Sequence, residues 1–362
     1  MTQETVTLNC VPSYGIDTGG FHVMASVAGG SQHDFQIDTG SSGMAIGVAN
    51  AGNYTDYPCY GPGQFQYEPS GNLLKGSWYL LPVTLYTAKT ANHSTTYSAA
   101  ATSQCMVLVV DSYTDGTTGK TSTDFGGGMM GVSAKSENIN YNVLLNASIP
   151  GTGGNPATPL APAYVLDGNS SGLTCTIGQM HTSDDGFNVV NLQPVAAVPL
   201  PGLTYSGAKL TPNPVNATWA MPTVVGTFTN GTSTVSLAAA FELDTGIDGM
   251  LVGAPAGTIP DSFTGTPDAT GKATFNSGIT INILVPGTGA GVELAGAAVR
   301  SYTFKTGGTS VDPAPTSVIL MPPPSNTVGD MVRINTGIRP LSGYQYLYDA
   351  QNGVIGMQLS GS

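Results

Sequence analysis

Phe35-Gln-Ile-Asp-Thr-Gly-Ser-Ser-Gly-Met-Ala-Ile-Gly47 and Phe241-Glu-Leu-Asp-Thr-Gly-Ile-Asp-Gly-Met-Leu-Val-Gly253 are two copies of one thirteen-residue phrase, set 206 residues apart. Seven positions are identical, and Ile/Leu, Ala/Leu and Ile/Val exchange at three more. A lone Asp-Thr-Gly says little, because Asp accepts turn geometry and Gly supplies positive φ, so a Thr- and Gly-rich chain makes such turns freely. Two copies in one Phe-x-aliphatic-Asp-Thr-Gly-x-x-Gly-Met-x-aliphatic-Gly frame are an internal repeat. Each frame delivers a carboxylate after a short apolar strand. Two such loops brought face to face make a carboxylate dyad, an arrangement suited to general acid–base chemistry.

Working outward, 362 residues exceed one ordinary core, and one phrase per half predicts two domains, 1–197 and 198–362. Charged residues are only 9% of the chain, while Gly (49) and Pro (25) are abundant. Short runs such as Val6-Thr-Leu8, Trp78-Tyr-Leu-Leu81 and Ile279-Thr-Ile-Asn-Ile283 read as strands between turn clusters, so the class is mainly β. Asn138–Ile149 is the best candidate for a helix. Phe65–Leu80 reads as one hairpin, and Tyr344–Met357 as another, turning on Gln351-Asn-Gly353.

Acidic residues outnumber basic ones 22 to 10, for a net charge of −12, so no basic patch for nucleic acid or an anionic membrane can be assembled. With so few cations, few native ion pairs are lost when carboxylates protonate, and acid should unfold this chain less readily than most. No apolar run approaches transmembrane length. Residues 1–30 lack the apolar core of a signal peptide, so for an exported protein that signal is expected to lie outside this chain. Cys10, Cys59, Cys105 and Cys175 allow three pairings if oxidised, which would fit a secreted protein, while four free thiols would fit the cytosol. None forms Cys-x-x-Cys, and the four histidines (His22, His33, His93, His181) are scattered, so no metal or other cofactor is expected. Six Asn-x-Ser/Thr sequons, at Asn53, Asn92, Asn146, Asn169, Asn216 and Asn230, are near what this composition yields by chance and carry no evidence of glycosylation.

On the paired phrases the chain resembles the pepsin-like (family A1) aspartic proteases, and the resemblance runs along nearly its whole length. Gly128-Met-Met-Gly-Val132 is similar to the family's apolar-apolar-Gly segment behind the first aspartate. Tyr164–Val195 resembles the close of the first lobe, and Tyr346-Leu-Tyr-Asp-Ala-Gln-Asn-Gly-Val-Ile-Gly-Met357 the C-terminal strand pair. The resemblance implies a bilobal β fold with a cleft, the last strands shared with an interlobe sheet, a monomer, and an acid endopeptidase acting on extended polypeptides and sensitive to pepstatin. It makes Asp38 and Asp244 the catalytic pair, Thr39 and Thr245 the threonines cross-linking the loops, Gly40 and Gly246 the glycines against the carboxylates, and Ser41 the hydroxyl on Asp38. Tyr67 is then the flap tyrosine. By the family's topology it also implies disulfides Cys10–Cys175 and Cys59–Cys105.

Several positions depart from the family pattern. Ile247 stands where a Ser or Thr is expected, which predicts that Asp244 lacks a donor that Asp38 keeps and is the more readily protonated partner. Ala45 replaces a Trp that supports the flap tyrosine, the Tyr-Gly-Thr-Gly run is missing around Tyr67, and Asn335-Thr-Gly337 replaces the second apolar-apolar-Gly. These departures support an alternative, a pepsin-fold binding or inhibitor protein with weak or no turnover. Asp248, beside the second loop, reads as a solvated turn residue rather than a specificity determinant.

Overall fold

A computed structural model describes all residues except 1–2, 68–69, 93, 127, 135–140, 154, 169–171, 196–217, 286–299, 308–313, 323–331 and 361–362. The expected domain boundary at 197/198, the sequons Asn169 and Asn216, and His93 lie outside the described residues. Among the described residues the chain is strands joined by turns and a few short 3-10 turns, with no α-helix. No described helix is long and apolar enough to cross a membrane.

Among the described residues, three large sheets carry the chain. A ten-stranded sheet draws its strands from His22–Val27 to Thr158–Pro159, and an eight-stranded sheet draws its own from Thr223–Asn230 to Val332–Asn335. A six-stranded sheet joins both ends of the chain, in the order Val6–Asn9, Thr174–Ile177, Ala163–Asp167, Tyr344–Asp349, Val354–Leu359, Asn188–Asn191. The C-terminal hairpin therefore pairs on both sides with strands of the first half, Tyr344–Asp349 lying against Ala163–Asp167.

The two phrases fold alike. In the first, His33–Asp38 runs in, turns through Thr39–Ser41 and returns as Ser42–Gly47, while Gly128–Val132 lies parallel to the incoming strand and antiparallel to the outgoing one. In the second, Ser233–Glu242 and Met250–Gly253 enclose Val332–Asn335 in the same senses. Gln36 faces Met129 and Glu242 faces Asn335, so the register makes Asn335-Thr-Gly337 the counterpart of Met129-Met-Gly131. Both glycines permit a close crossing. A Cβ on Gly131 would lie 2.7 Å from the Ser41–Ser42 backbone, and one on Gly337 (φ 65°) would lie 2.3 Å from the Gly249 carbonyl oxygen.

The apolar positions of both phrases build the core. Phe35, Ile37 and Met44, with their counterparts Phe241, Leu243 and Met250, are all buried in one cluster. At about 1.5–3 kcal/mol for each large apolar side chain buried, the strands carrying the aspartates are among the most firmly anchored elements.

Two expectations fail. Asn138–Ile149 is not an α-helix: 138–140 lie outside the described residues, Tyr141 is in a 3-10 turn, 143–146 form a turn, and Ala147–Ile149 is a strand paired with Thr102 and Ser103. Asn142 Oδ1 accepts the N–H groups of Leu144 and Leu145, which folds the backbone into a side-chain-closed turn. Val143, Leu144 and Leu145 are all buried, so the apolar run has no helical face. Nor are there disulfides, since all four cysteines are free. Leu8 faces Cys175 in the ladder, which makes Cys10 and Cys175 diagonal neighbours. Such neighbours stand about 7–8 Å apart, beyond the Cα separation a disulfide usually spans. Cys59 is exposed while Cys105 is fully buried in the core, so these two thiols face different surroundings.

Candidate active site

Asp38 ends its strand, and Asp244 lies two residues beyond Glu242, where its own strand ends. Both aspartates are almost wholly buried. The two Asp-Thr-Gly loops meet and are locked by reciprocal hydrogen bonds. Thr39 N–H donates to Thr245 Oγ1 and Thr245 N–H donates to Thr39 Oγ1, each at 3.0 Å. Thr39 Oγ1 in turn donates to the Leu243 carbonyl, and Thr245 Oγ1 to the Ile37 carbonyl. Each hydroxyl thus accepts from the other loop and donates to the strand feeding it.

Each carboxylate rests on the backbone of its own loop and against that of the other. Gly40 N–H donates to Asp38 Oδ1 and Gly246 N–H to Asp244 Oδ1, both at 2.8 Å. A Cβ on Gly40 would sit 2.2 Å from Asp244 Cγ, and one on Gly246 would sit 2.8 Å from Asp38 Oδ1, so any side chain at either position collides with the opposite carboxylate. The two aspartates lie close enough for the charge of Asp38 to raise the pKa of Asp244.

The outer oxygens are held differently. Ser41 Oγ donates to Asp38 Oδ2. Asp244 Oδ2 accepts instead from Asn335 Nδ2, at 2.6 Å. The expectation that Asp244 lacks a donor is therefore corrected: Ile247 removes the loop hydroxyl, and Asn335 supplies a donor from the neighbouring strand. Asp244 is nonetheless raised above the ordinary carboxylate range, because burial and then the Asp38 charge outweigh the opposing hydrogen bonds from Asn335 and the Gly246 N–H.

Tyr67 follows the strand Cys59–Gln66 at the tip of a hairpin whose return strand begins at Leu73. Its carbonyl accepts from Gly71 N–H and its N–H donates to the Asn72 carbonyl, closing the turn at 2.7 and 2.9 Å. Burial, and then the charge of Asp38, raise the phenol's pKa, so the half-buried ring lies within electrostatic reach of that aspartate. Asp248 is exposed, in keeping with a turn residue.

Two residues of this region escape a reading by motif. One is Asn335. The other is Trp78, fully buried on the hairpin's return strand in a cluster that includes Ala45. Its ring meets Phe65 and Tyr141 edge-on, each at 5.1 Å between centroids. A Cβ on Gly63 would strike Trp78 Nε1 at 2.0 Å, and one on Gly43 would lie 3.4 Å from Trp78 Cη2. Glycines on two strands thus make room for an indole over Ala45. The signal for it was a tryptophan in an alternating strand, with glycines opposite that only the register brings together.

Neither a family model nor a curated protein matches this sequence. Among solved structures, the fold is similar to that of the aspartic proteinase from Irpex lacteus, with a TM-score of 0.50, 14% identity, and 99% of this chain and 98% of that chain covered. At that identity the likeness shows the fold alone: mainly β and pepsin-like.

Proposed function

We propose that this protein is an aspartic endopeptidase, with Asp38 and Asp244 as its catalytic pair and the lobes 1–197 and 198–362 flanking the cleft. The observation carrying this reading is the cross-braced pair of buried aspartates, each with a glycine N–H on its inner oxygen and a side-chain donor on its outer one. Close carboxylates cannot both ionise readily, so they share a proton and titrate at separated values. The upward shift of Asp244 makes it the protonated partner.

A water between the carboxylates loses a proton to Asp38 as its oxygen bonds to the peptide carbonyl carbon. Asp244 gives its proton to the carbonyl oxygen. In collapse, Asp38 passes its proton to the amide nitrogen, the C–N bond breaks, and a hydroxyl proton returns to Asp244, restoring the starting state. The hairpin bearing Tyr67 closes over an extended polypeptide and excludes bulk water. The protein acts as a monomer, since one chain supplies both aspartates. Sparse charge supports work in an acidic, extracellular setting.

The departures that favoured a non-catalytic binding protein lose much of their weight, because Asn335 stands in for the missing hydroxyl and Trp78 fills the space over Ala45. The test is cleavage of denatured haemoglobin or casein from pH 2 to 7, with and without pepstatin, beside Asp38→Ala. Acid-side activity that pepstatin blocks and the variant lacks is the expected result. A folded chain silent across that range would transfer the reading to a binding protein.

A further inference from the structure

The repeat places Ser41 opposite Ile247, and the sheet register places Met129 opposite Asn335. In the first half, then, the loop position is polar and the threaded-strand position apolar. In the second half the two are exchanged. Both arrangements put one donor on the outer oxygen of an aspartate.

We infer that Asn335 is the positioning residue of Asp244: its amide nitrogen, which can only donate, holds Oδ2 in place and favours the charged form of that carboxyl. This deepens, and rests on, the reading of the pair as a catalytic dyad. The orientation of the amide is fixed independently. Asn335 Oδ1 accepts from Gly337 N–H at 3.0 Å, so Nδ2 is the atom that faces Asp244. The left-handed φ of Gly337 and its approach to the Gly249 carbonyl fix the direction of that N–H. Asn335 itself is buried, with little freedom to turn away.

A Ser or Thr hydroxyl behaves differently, because it can rotate to donate to a carboxylate or to accept from a carboxylic acid. Ser41 can serve Asp38 in either protonation state, whereas Asn335 offers Asp244 Oδ2 a donor only. The swap therefore makes the dyad asymmetric at its outer oxygens. On the other oxygen, Oδ1, Gly246 N–H is likewise a donor, so both oxygens of Asp244 accept hydrogen bonds.

Other charged and titratable groups near Asp244 come from each packed element. Asp38 approaches from the first loop, and Tyr67, from the hairpin, feels Asp38. Glu242 on the strand leading to Asp244 is ion-paired with Arg333 on the strand of Asn335. The Asn335 contact differs from these in being neutral. Its removal should move the titration of Asp244 without altering the charge of the site.

The experiment compares wild type, Asn335→Leu, Ile247→Thr and the double variant by pH–rate profile and by 13C carboxyl NMR titration of the ligand-free protein, with Asp244→Asn assigning the resonance. Asn335→Leu should move the alkaline limb and the Asp244 titration up by about one pH unit, because a hydrogen bond to the charged form is lost. Adding Ile247→Thr should bring both back towards wild type by restoring a loop hydroxyl. Ile247→Thr alone should move neither, since Oδ2 already has its donor. A purely structural role would lower activity at every pH and leave the limb in place, and that result, in folded protein, overturns the inference. If Asn335→Leu does not fold, a marked downward shift in Ile247→Thr alone overturns it instead. Wild type silent in the assay would sink the peptidase reading, and the NMR titration would still decide this one.

Discussion

The two Asp-Thr-Gly loops reach the same geometry around their aspartates by different means. The first is self-contained: its donor, Ser41, lies three residues from the aspartate it serves. The second borrows a donor 91 residues away. The first half also carries a hairpin with an aromatic support, Trp78 between Phe65 and Tyr141. What both loops keep is the pair of inner-oxygen N–H donors and the threonine brace, which depend on backbone shape. The outer-oxygen donor needs only one N–H or O–H at the right point in space, and either of two positions can provide it. The constraint falls on where a donor is placed, not on which residue places it.

The largest effects should ignore the difference between the loops. On the proposed mechanism, Asp38→Asn and Asp244→Asn are both expected to abolish peptide hydrolysis, with kcat falling by a factor on the order of 10³ or more, because one would remove the base and the other the acid. Steady-state assays on folded variants check this. If either variant kept activity within tenfold of wild type, the dyad reading would fail.

Next in size is a change confined to one half. Trp78→Ala empties a fully buried site, with an expected stability loss of about 3–5 kcal/mol by denaturant titration. Trp78→Phe should keep most of that packing. If the indole positions the hairpin, this milder variant should still lose kcat/KM, while Trp219→Phe, at the strand pairing with Pro194–Val195, should not. Equal losses in the two would show that Trp78 acts through packing alone.

The threonine brace offers a symmetric comparison. Thr39→Val strands the Thr245 N–H and the Leu243 carbonyl, and Thr245→Val strands the Thr39 N–H and the Ile37 carbonyl. Each should cost about 2–4 kcal/mol, since two buried polar groups lose partners, and the two costs should agree within about 1 kcal/mol. Unequal costs would show that the halves differ below the carboxylates as well as beside them.

How far these features could be read in advance follows from how local their causes are. The aspartate loops were legible because each is one contiguous phrase, repeated, whose apolar residues at Phe35, Ile37, Phe241 and Leu243 alternate into the core. The hairpin before Trp78 was legible for the same reason. Asn335 appeared only as a departure from a motif, since its value depends on a register that sets it beside Glu242. Trp78 was missed because the space it fills is made by Gly43 and Gly63 on other strands. The helix expected over Asn138–Ile149 failed because an apolar run buried on every side has no helical period to read. The disulfides failed because a family's pairing was carried over where this ladder sets Cys10 and Cys175 on a diagonal.

The smallest expected effect concerns the charge state of Asp244 and the stability of the fold. Its pKa is raised above the ordinary value of 3.8, first by burial and then by Asp38. The folded chain therefore binds this proton more tightly than the unfolded chain does. The stability this contributes is full below pH 3.8 and is lost as pH rises through the folded value. Asp244→Asn stays neutral throughout and escapes that loss. Its thermal midpoint relative to wild type should rise between pH 4 and 7 by a few degrees, corresponding to about 1–2 kcal/mol. Asp38→Asn removes the neighbouring charge, so it should lower the Asp244 pKa and flatten the wild-type decline in the same interval. A wild-type midpoint that tracks Asp244→Asn in parallel across this range would mean that the aspartate is not held protonated by its site, and the assignment of acid and base between the two loops would have to be reversed.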